Sequence, residues 1–169
     1  ITDIKDIYSE TKTIKTIYIK DHKINAHIIP GQFIMVWIPG LDEIPMGISH
    51  ILEDDYISFT VEEIGEATSK LCRMRVGDKI GVRGPYGNGF SELKEKNIII
   101  GGGSGMAPLI PLIDLAVKSK KSVKVILGAK NRSKLPFLEY LEKSLPNYEK
   151  DVIVTTEDGS FGEKGVVTD

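Results

Sequence analysis

The sequence predicts a two-domain fold, in which an antiparallel β-barrel (residues 1–94) is followed by an α/β domain with a parallel sheet (residues 95–169). Two observations predict it. Before residue 95, short apolar segments alternate with turn dipeptides, whereas after it strand-like segments alternate with helix-like ones. The total of 169 residues also suits two small domains. The charged segment Glu92–Lys96 is expected to link them.

The first half contains four segments that are typical of short β-strands, namely Thr13–Ile19, Phe33–Ile38, Tyr56–Ile64 and Lys79–Arg83. In the third segment, Phe59, Val61 and Ile64 lie among polar residues, which predicts a strand with one buried face. Dipeptides such as Pro30-Gly31 and Gly84-Pro85 mark the turns between the strands. Repeated short strands of this kind favour a small antiparallel barrel.

The second half repeats a strand–helix rhythm. Ile98–Ile100 precedes a predicted helix at Leu109–Val117, Val123–Leu127 precedes one at Leu138–Ser144, and Val152–Thr155 leads into the glycine-rich end. This rhythm predicts βαβ units and a parallel sheet. The isoleucines of the first strand favour burial on both faces of the sheet.

A glycine-rich turn follows the first of these strands. Four glycines allow close approach of the backbone to a ligand, and Pro108 has the φ of a helical first turn. A helix N-terminus after such a turn suits a pyrophosphate, so we expect a nucleotide to bind here. The residues expected to bind it are Gly101, Gly102, Gly103, Ser104, Gly105, Met106, Ala107 and Pro108. The alternative is a tight strand–helix turn without a ligand.

The spacing of this turn departs from the strict Rossmann fingerprint. In one register its three glycine positions hold Gly101, Gly103 and Met106, and in the other they hold Gly103, Gly105 and Pro108.

The composition excludes several classes of protein. With 41% hydrophobic and 27% charged residues it is typical of a soluble globular protein. The net charge of −2 argues against nucleic acid or an anionic membrane as partner. No apolar run approaches the ~20 residues needed to span a bilayer, and there is no signal peptide, so we expect a cytoplasmic location.

The chain lacks the residue patterns of a metal site or of acid–base catalysis. Its single cysteine, Cys72, excludes an internal disulfide and cannot hold a zinc or iron–sulfur site alone; we expect a small core residue there. His22, His27 and His50 lack metal-ligand spacing, and we expect them to be structural or exposed.

Three motifs occur in a fixed order: Gly31–Val36, Gly81–Phe90 and Gly101–Pro108. Together they resemble the ferredoxin–NADP reductase superfamily and, within it, the family of electron-transfer subunits of dihydroorotate dehydrogenase B. The segments Trp37–Met46 and Glu157–Gly165 strengthen the resemblance to that family. The resemblance covers nearly the whole chain. It implies a ferredoxin reductase-like fold with FAD on the barrel, NAD(P) on the α/β domain, and hydride transfer between them, which needs no protein acid or base.

The resemblance also implies where the flavin would bind. The family's Arg-x-Tyr-Ser/Thr strand motif corresponds here to Ile44, Pro45, Met46 and Gly47, followed by Ile48 and Ser49, so the arginine, aromatic and hydroxyl groups are missing. The backbone N–H of Gly47 or Ile48 could serve flavin N5 instead, and Met46 could lie against the ring. Alternatively, this segment is only a barrel strand.

A second flavin element is the start of a predicted helix at Ala67–Met74. Here Gly65, Ala67, Thr68 and Ser69 would bind the FAD diphosphate through backbone N–H groups and hydroxyls, unless the segment is an ordinary capped helix. Lys70 and Arg73 could add charge pairing or simply be solvated.

The resemblance places a third element where the two cofactors meet. It consists of Gly84, Pro85, Tyr86 and Gly87. Tyr86 and Phe90 either lie near the flavin or cap the core.

The dinucleotide would extend along the carboxyl edge of the parallel sheet. The basic segment Gly128–Arg132 could contact its adenosine side, which leaves NADH and NADPH both open. The carboxylates of the segment Thr156–Ser160, Glu157 and Asp158, could accept hydrogen bonds from ribose hydroxyls.

The family normally continues into a Cys-Gly-Pro motif and a cysteine-rich segment that binds a [2Fe–2S] cluster. Neither is in this sequence, so we expect a truncated or partly disordered C-terminus and a cluster only in a longer chain. The implied partner is an FMN-containing dihydroorotate dehydrogenase catalytic subunit, in a hetero-oligomer that serves pyrimidine biosynthesis. The alternatives are a related NAD(P)H:ferredoxin or sulfide dehydrogenase-type oxidoreductase subunit, or a flavin-less nucleotide-binding interaction module.

Overall fold

The computed structural model describes residues 1–90 and 92–169. Its first part is a closed barrel of six antiparallel strands with two short helices. These elements are β1 (Thr2–Ser9), β2 (Ile14–Lys20), α1 (His22–Asn25), β3 (Phe33–Trp37), β4 (Glu43–Ile51), β5 (Tyr56–Glu62), α2 (Glu66–Arg73) and β6 (Lys79–Tyr86). The strands follow the order β1-β2-β5-β4-β3-β6 around the barrel. β-Branched residues such as Ile17, Ile19 and Val36 fill its interior, as expected for a pleated, closed sheet.

The predicted one-sided burial of β5 is wrong. Five successive residues, Ile57 to Val61, are buried, whereas Ile64 lies beyond the strand and is 80% exposed. The outer face is buried because the second half of the chain covers it. Ser58 bonds to His50, whose ring in turn packs edge-on against Tyr140 of that half.

Strand β6 is longer than the predicted Lys79–Arg83 and runs to Tyr86. Tyr86 pairs with Phe33 and Arg83 with Met35, so the dipeptide between them bulges out of the ladder. A bulge tolerates proline, which has no N–H to donate to the neighbouring strand.

The second part is a four-stranded parallel sheet with the order β10-β9-β8-β7. Its elements are β7 (Lys96–Gly102), a 3₁₀ helix (Gly103–Leu109), α3 (Ile110–Lys118), β8 (Ser122–Ala129), a second short 3₁₀ helix (Arg132–Lys134), α4 (Leu138–Ser144), α5 (Tyr148–Asp151), β9 (Val152–Thr156) and β10 (Glu163–Lys164). One face of this sheet packs with the helices into a second hydrophobic core, separate from that of the barrel.

Two sequence predictions in this part are wrong. Pro108 does not begin the α-helix: it lies inside the 3₁₀ helix, and Pro111 occupies the first turn of α3 instead. The isoleucine strand is covered on one face only, since Ile99 is 4% exposed but Ile98 and Ile100 are 69% and 47% exposed.

The expected fold class, an antiparallel barrel followed by a parallel α/β sheet, is confirmed. The boundary after residue 94 stays a prediction; β6 ends at Tyr86 and β7 begins at Lys96. Within residues 1–90 and 92–169, no helix has the length and apolar character that a membrane crossing requires. Nor do those residues bring three or more His, Cys, Asp or Glu side chains together as a metal site would need.

Candidate functional site

The carboxyl ends of β7, β8 and β9 surround a cavity of about 340 Å³. Open α/β sheets bind ligands at this edge. The lining residues are Glu62, Gly102, Gly103, Ser104, Gly128, Ala129, Lys130, Lys134, Glu157 and the segment Gly165–Val167. The cavity therefore joins the predicted glycine turn to the loops after the next two strands.

The glycine turn, residues Gly101–Gly105, has the geometry that a close ligand requires. Gly103 has φ +50°, and a Cβ added at Gly103 or Gly105 would meet nothing within 4 Å. Gly102 caps the 3₁₀ helix without a side-chain hydrogen bond, so no side chain caps the first amides. Such amides form an anion-binding end.

The other predicted residues of this motif pack beneath the turn, against the second hydrophobic core. A Cβ on Gly101 would lie 3.0 Å from the Cα of Met106, so glycine is needed there for packing. Met106 and Ala107 are buried in the second core, which leaves only their backbones as possible ligand contacts. Pro108 instead faces the barrel, as described below.

A buried hydroxyl beside this cavity has no partner among the described residues. Thr155 is 8% exposed, and its Oγ1 makes no hydrogen bond. Built onto Gly128, a Cβ would lie 2.9 Å from that oxygen and would also collide with Val167. An unpaired buried hydroxyl next to an open amide turn fits a polar ligand in this cavity.

Glu157 rather than Asp158 lines the cavity. Asp158 is exposed, and its Oδ1 accepts the Ser160 N–H at 2.9 Å, so it forms a local turn. Hydrogen bonds from the side chain and then the backbone of Ser160 lower the pKa of Asp158. Of the two carboxylates in this segment, Glu157 is the one that borders the cavity, and a contact of either with a ribose stays a prediction.

The basic residues after β8 separate into two groups. Lys130 and Lys134 line the cavity, whereas Arg132 packs over the Phe161 ring, 4.7 Å from its centroid. Sequence reasoning missed Lys134 and also Glu62, which belongs to the barrel, because neither lies in a motif.

The predicted flavin strand, β4, has two different faces. Met46 is partly buried against the barrel core and Ile48 is 1% exposed within it. The expected contact between Met46 and a flavin ring stays a prediction. Ser49 is fully buried, and its hydroxyl lies 2.9 Å from that of Ser58. Pro45 and Gly47 alternate along the strand with the core residues Met46 and Ile48 and so face outward.

Gly47 is the point where the barrel meets the glycine motif. An added Cβ would lie 3.0 Å from the Cβ of Pro108. The hydroxyl that the family places here is therefore replaced by the ring of Pro108. This contact brings the outer face of β4 next to the nucleotide edge.

The two backbone amides expected to face a flavin are not equivalent. The Ile48 N–H donates to the Gln32 carbonyl at 3.3 Å. Gly47 pairs with Phe33 one residue earlier, and alternate residues of an antiparallel strand point their N–H groups to opposite sides. The Ile48 amide is therefore used within the barrel, and donation by the Gly47 amide to flavin N5 stays a prediction.

Helix α2 begins at an open N-terminus. Its N-cap, Gly65, has no side chain, and a Cβ added there would meet nothing within 4 Å. A cavity of about 580 Å³ borders this helix, and it is lined by Gly40, Leu41, Glu66, Ser69, Lys70 and Arg73. The geometry fits a phosphate group at the first-turn amides, including that of Ala67.

The hydroxyl of Thr68 is already engaged, contrary to expectation. It accepts the N–H groups of Ile64 and Gly65, each at 3.0 Å, and lies 3.1 Å from the Gly65 carbonyl. Thr68 therefore shapes the cap, while Ser69 lines the cavity. Lys70 donates to the Pro39 carbonyl at 2.6 Å, and Arg73 lies 3.5 Å from Glu63.

The third predicted element adjoins the outer face of the barrel. Gly84 and Gly87 both have positive φ, and Pro85 lies between Gly84 and the half-exposed Tyr86. The Tyr86 ring lies 5.9 Å from that of Phe33. Arg83, which sequence reasoning did not single out, forms a bidentate ion pair with Glu43 at 2.6 Å on this face.

The cysteine and the histidines occupy the places expected of them. Cys72 is buried in the barrel core, and burial raises the pKa of its thiol. His50 is 3% exposed, and burial lowers its pKa to about 4. His22 and His27 are exposed.

Comparison with solved structures agrees with this geometry. The NADH-dependent reduced ferredoxin–NADP oxidoreductase, described in work on flavin-based electron bifurcation, superposes with a TM-score of 0.85 at 26% identity and matches 99% of this chain and 60% of that one. Phthalate dioxygenase reductase shares the fold, with a TM-score of 0.76 at 16% identity over 94% of this chain and 51% of that one.

No family model matches the chain. A curated relative from Methanocella arvoryzae, named as a probable dihydroorotate dehydrogenase B (NAD(+)) electron transfer subunit, is 40% identical over 98% of this chain and 60% of its own length. The chain spans about 60% of the length of several such relatives. A Thermococcus kodakarensis protein of the same name is 33% identical over 100% of this chain and 67% of its own length. The chain therefore belongs to the family of dihydroorotate dehydrogenase B electron transfer subunits.

Proposed function

We propose that this chain is the FAD- and NAD(H)-binding part of an oxidoreductase subunit that exchanges electrons between the two cofactors. The observation that carries the proposal is the contact between Gly47 and Pro108. It brings the predicted flavin strand and the glycine turn side by side, so two cofactors bound at these sites would meet. When bound, FAD and the nicotinamide supply the hydride chemistry, and the chain holds and orients them.

The nucleotide would lie in the cavity at the carboxyl edge of the parallel sheet. The amides of Gly103 to Gly105 would bind its pyrophosphate, with Lys130 supplying positive charge. Thr155 and Glu157 would offer hydrogen bonds to its ribose or amide groups.

FAD would lie on the outer face of the barrel. The first turn of α2 would bind its diphosphate, and Ser69 and Lys70 border that site. Gly47, which lies next to Pro108, would be near the reactive edge of the ring, and Phe33 and Tyr86 offer apolar and aromatic surface nearby.

Electrons would leave this part of the protein through a [2Fe–2S] cluster bound by a longer chain. The sequence contains one cysteine, and Cys72 is buried with a raised thiol pKa, so these residues do not fit the cluster. The proposed acceptor is the FMN-containing catalytic subunit of dihydroorotate dehydrogenase in pyrimidine biosynthesis, the enzyme for which the curated relatives are named.

The binding step is tested by absorbance spectroscopy of the purified chain after incubation with excess FAD and removal of free flavin. We expect one FAD per chain, and bleaching of the flavin bands when NADH is added. A chain without flavin bands would contradict the flavin role. In that case, retained binding of NADH would favour the flavin-less interaction module.

The similarity to the ferredoxin–NADP oxidoreductase favours a second acceptor, ferredoxin. Reduction assays with the longer subunit distinguish the two. Reduction of the catalytic subunit's flavin supports the first proposal, and preferential reduction of ferredoxin supports the second.

A further inference from the structure

We propose that Glu62 is a positioning residue that sets the distance between the two cofactor sites by tying the glycine turn to the barrel. The inference rests on the function proposed above. Glu62 is the last residue of β5, and the same stretch of chain reaches Gly65, the N-cap of α2, three residues later. It therefore lies at the start of the segment that would bind the FAD diphosphate.

Both carboxylate oxygens of Glu62 are used across the boundary between the two hydrophobic cores. Oε2 accepts the hydroxyl of Ser104 at 2.8 Å, and Oε1 accepts Lys134 Nζ at 2.9 Å. Lys134 also donates to Thr13 of the barrel at 2.8 Å. A single side chain thus connects the barrel to the glycine turn and to the loop after β8.

The ion pair between Glu62 and Lys134 differs from an ordinary surface ion pair in being partly buried. The Glu62 side chain is 21% exposed and lines the cavity in which the dinucleotide would lie. Burial alone would raise the pKa of Glu62, but the hydrogen bonds from Lys134 and Ser104 outweigh it and lower that pKa. The paired Lys134 offsets the negative charge, so an anionic ligand can still approach.

Glu62 and Gly47 both lie against the glycine motif. At Gly47 the motif already lies close to the barrel, since an added Cβ would be only 3.0 Å from the Cβ of Pro108. The hydrogen bond from Ser104 to Glu62 prevents withdrawal of the motif. Because a displacement of ~1 Å between reacting groups can cost about 100-fold in rate, such a tie affects the hydride step more than nucleotide affinity.

The test compares Glu62→Ala, Ser104→Ala and their double variant with a matched control, Glu63→Ala. Glu63 is the next residue, and its carboxylate pairs only loosely with the exposed Arg73, at 3.5 Å. Amide hydrogen exchange of Gly103 to Gly105 is measured first in the cofactor-free chain. We expect exchange to quicken at least tenfold in both single variants and to stay unchanged in the control.

Stopped-flow reduction of FAD-loaded protein then separates positioning from binding. At saturating NADH, we expect Glu62→Ala to reduce its flavin at least tenfold more slowly, with an NADH Kd within threefold of wild type. The double variant should be no slower than Glu62→Ala, since Ser104→Ala breaks only a contact that Glu62→Ala has already removed. A raised Kd with an unchanged saturated rate, additive effects, or unchanged hydrogen exchange would each overturn the proposal.

The two parts of the test also separate this inference from the proposed function. If the wild-type chain binds neither FAD nor NADH, the proposed function fails, and the exchange measurement still decides whether Glu62 holds the turn. If the wild-type chain binds both and Glu62→Ala behaves as wild type, only the positioning role fails.

Discussion

The buried histidine between the two halves predicts how stability depends on pH. His50 lies on β4 and is 3% exposed. Its Nδ1 is 2.8 Å from the Ser58 hydroxyl, while Nε2 has no partner among the described residues. Its ring centroid is 4.7 Å from that of Tyr140, whose hydroxyl donates to Asp114. Burial therefore lowers the pKa of His50 to about 4, from 6.5.

The sign of the effect follows from the protons that each state binds. Between pH 6.5 and 4 the unfolded chain holds a proton on this histidine and the folded protein does not. The free energy of unfolding therefore falls as the pH is lowered through this window. The histidine contributes a loss of about 1 kcal/mol between pH 6 and pH 5, and about 3 kcal/mol over the whole window.

Urea denaturation of the wild type and of a His50→Asn variant measures this contribution. Burial raises the pKa of Glu10 and of Asp114, and these carboxyl groups act in the opposite direction. Both proteins retain them, so their effects cancel in the difference. We expect the wild type to lose about 1 kcal/mol relative to the variant between pH 6 and pH 5. Parallel stability curves would show that His50 is not held neutral, and would refute the reasoning.

Three further predictions concern the glycine turn and the electron pathway. Gly103→Val places a branched side chain at φ +50°, so NAD(H) affinity measured by titration should fall at least tenfold, or ~1.4 kcal/mol, while FAD stays bound. Gly77→Val, at φ +93° and outside the cavity lining, is the control for backbone strain alone, and equal NAD(H) affinities in the two variants would contradict the site. Gly101→Ala forces a Cβ to 3.0 Å from the Met106 Cα, so its urea midpoint should fall by the equivalent of about 1–3 kcal/mol; an unchanged midpoint would mean that the turn can relax. The 169-residue chain should oxidise NADH slowly with a small dye and should not reduce a partner's flavin, whereas a longer chain that binds the proposed [2Fe–2S] cluster should also reduce that flavin with NADH. Equal rates of partner reduction would contradict a cluster relay.

Local patterns in the sequence were sufficient to predict the types and order of most elements. A continuous run of apolar residues in Phe33–Ile38 predicted β3, and the helix expected at Leu138–Ser144 has the same bounds in the structure. The glycine motif likewise predicted a turn between the first strand of the sheet and a helix, and the structure has one there. These features depend on residues close together in the chain, and so their patterns are visible without the fold.

The faces that each strand buries were not predictable in the same way. β5 was expected to expose one face and buries both, while β7 was expected to bury both and exposes Ile98 and Ile100. The errors have one cause. Whether the second face is covered depends on elements distant in the sequence, and the composition of the strand itself does not reveal them.

The departure at Gly47 shows how such distant contacts bear on function. The resemblance places a hydroxyl at this position, and from the sequence its loss counts against flavin binding. In the structure Pro108 occupies the space that a side chain would need, so glycine is what allows the nucleotide motif to approach the barrel. The glycine of one motif, Gly47, and the proline of another, Pro108, thus form one point of close approach between the two halves. Glu62 and Ser104, which belong to no shared motif, form the second. The residues that would control hydride transfer therefore lie where the two halves meet, and only the three-dimensional fold brings them together.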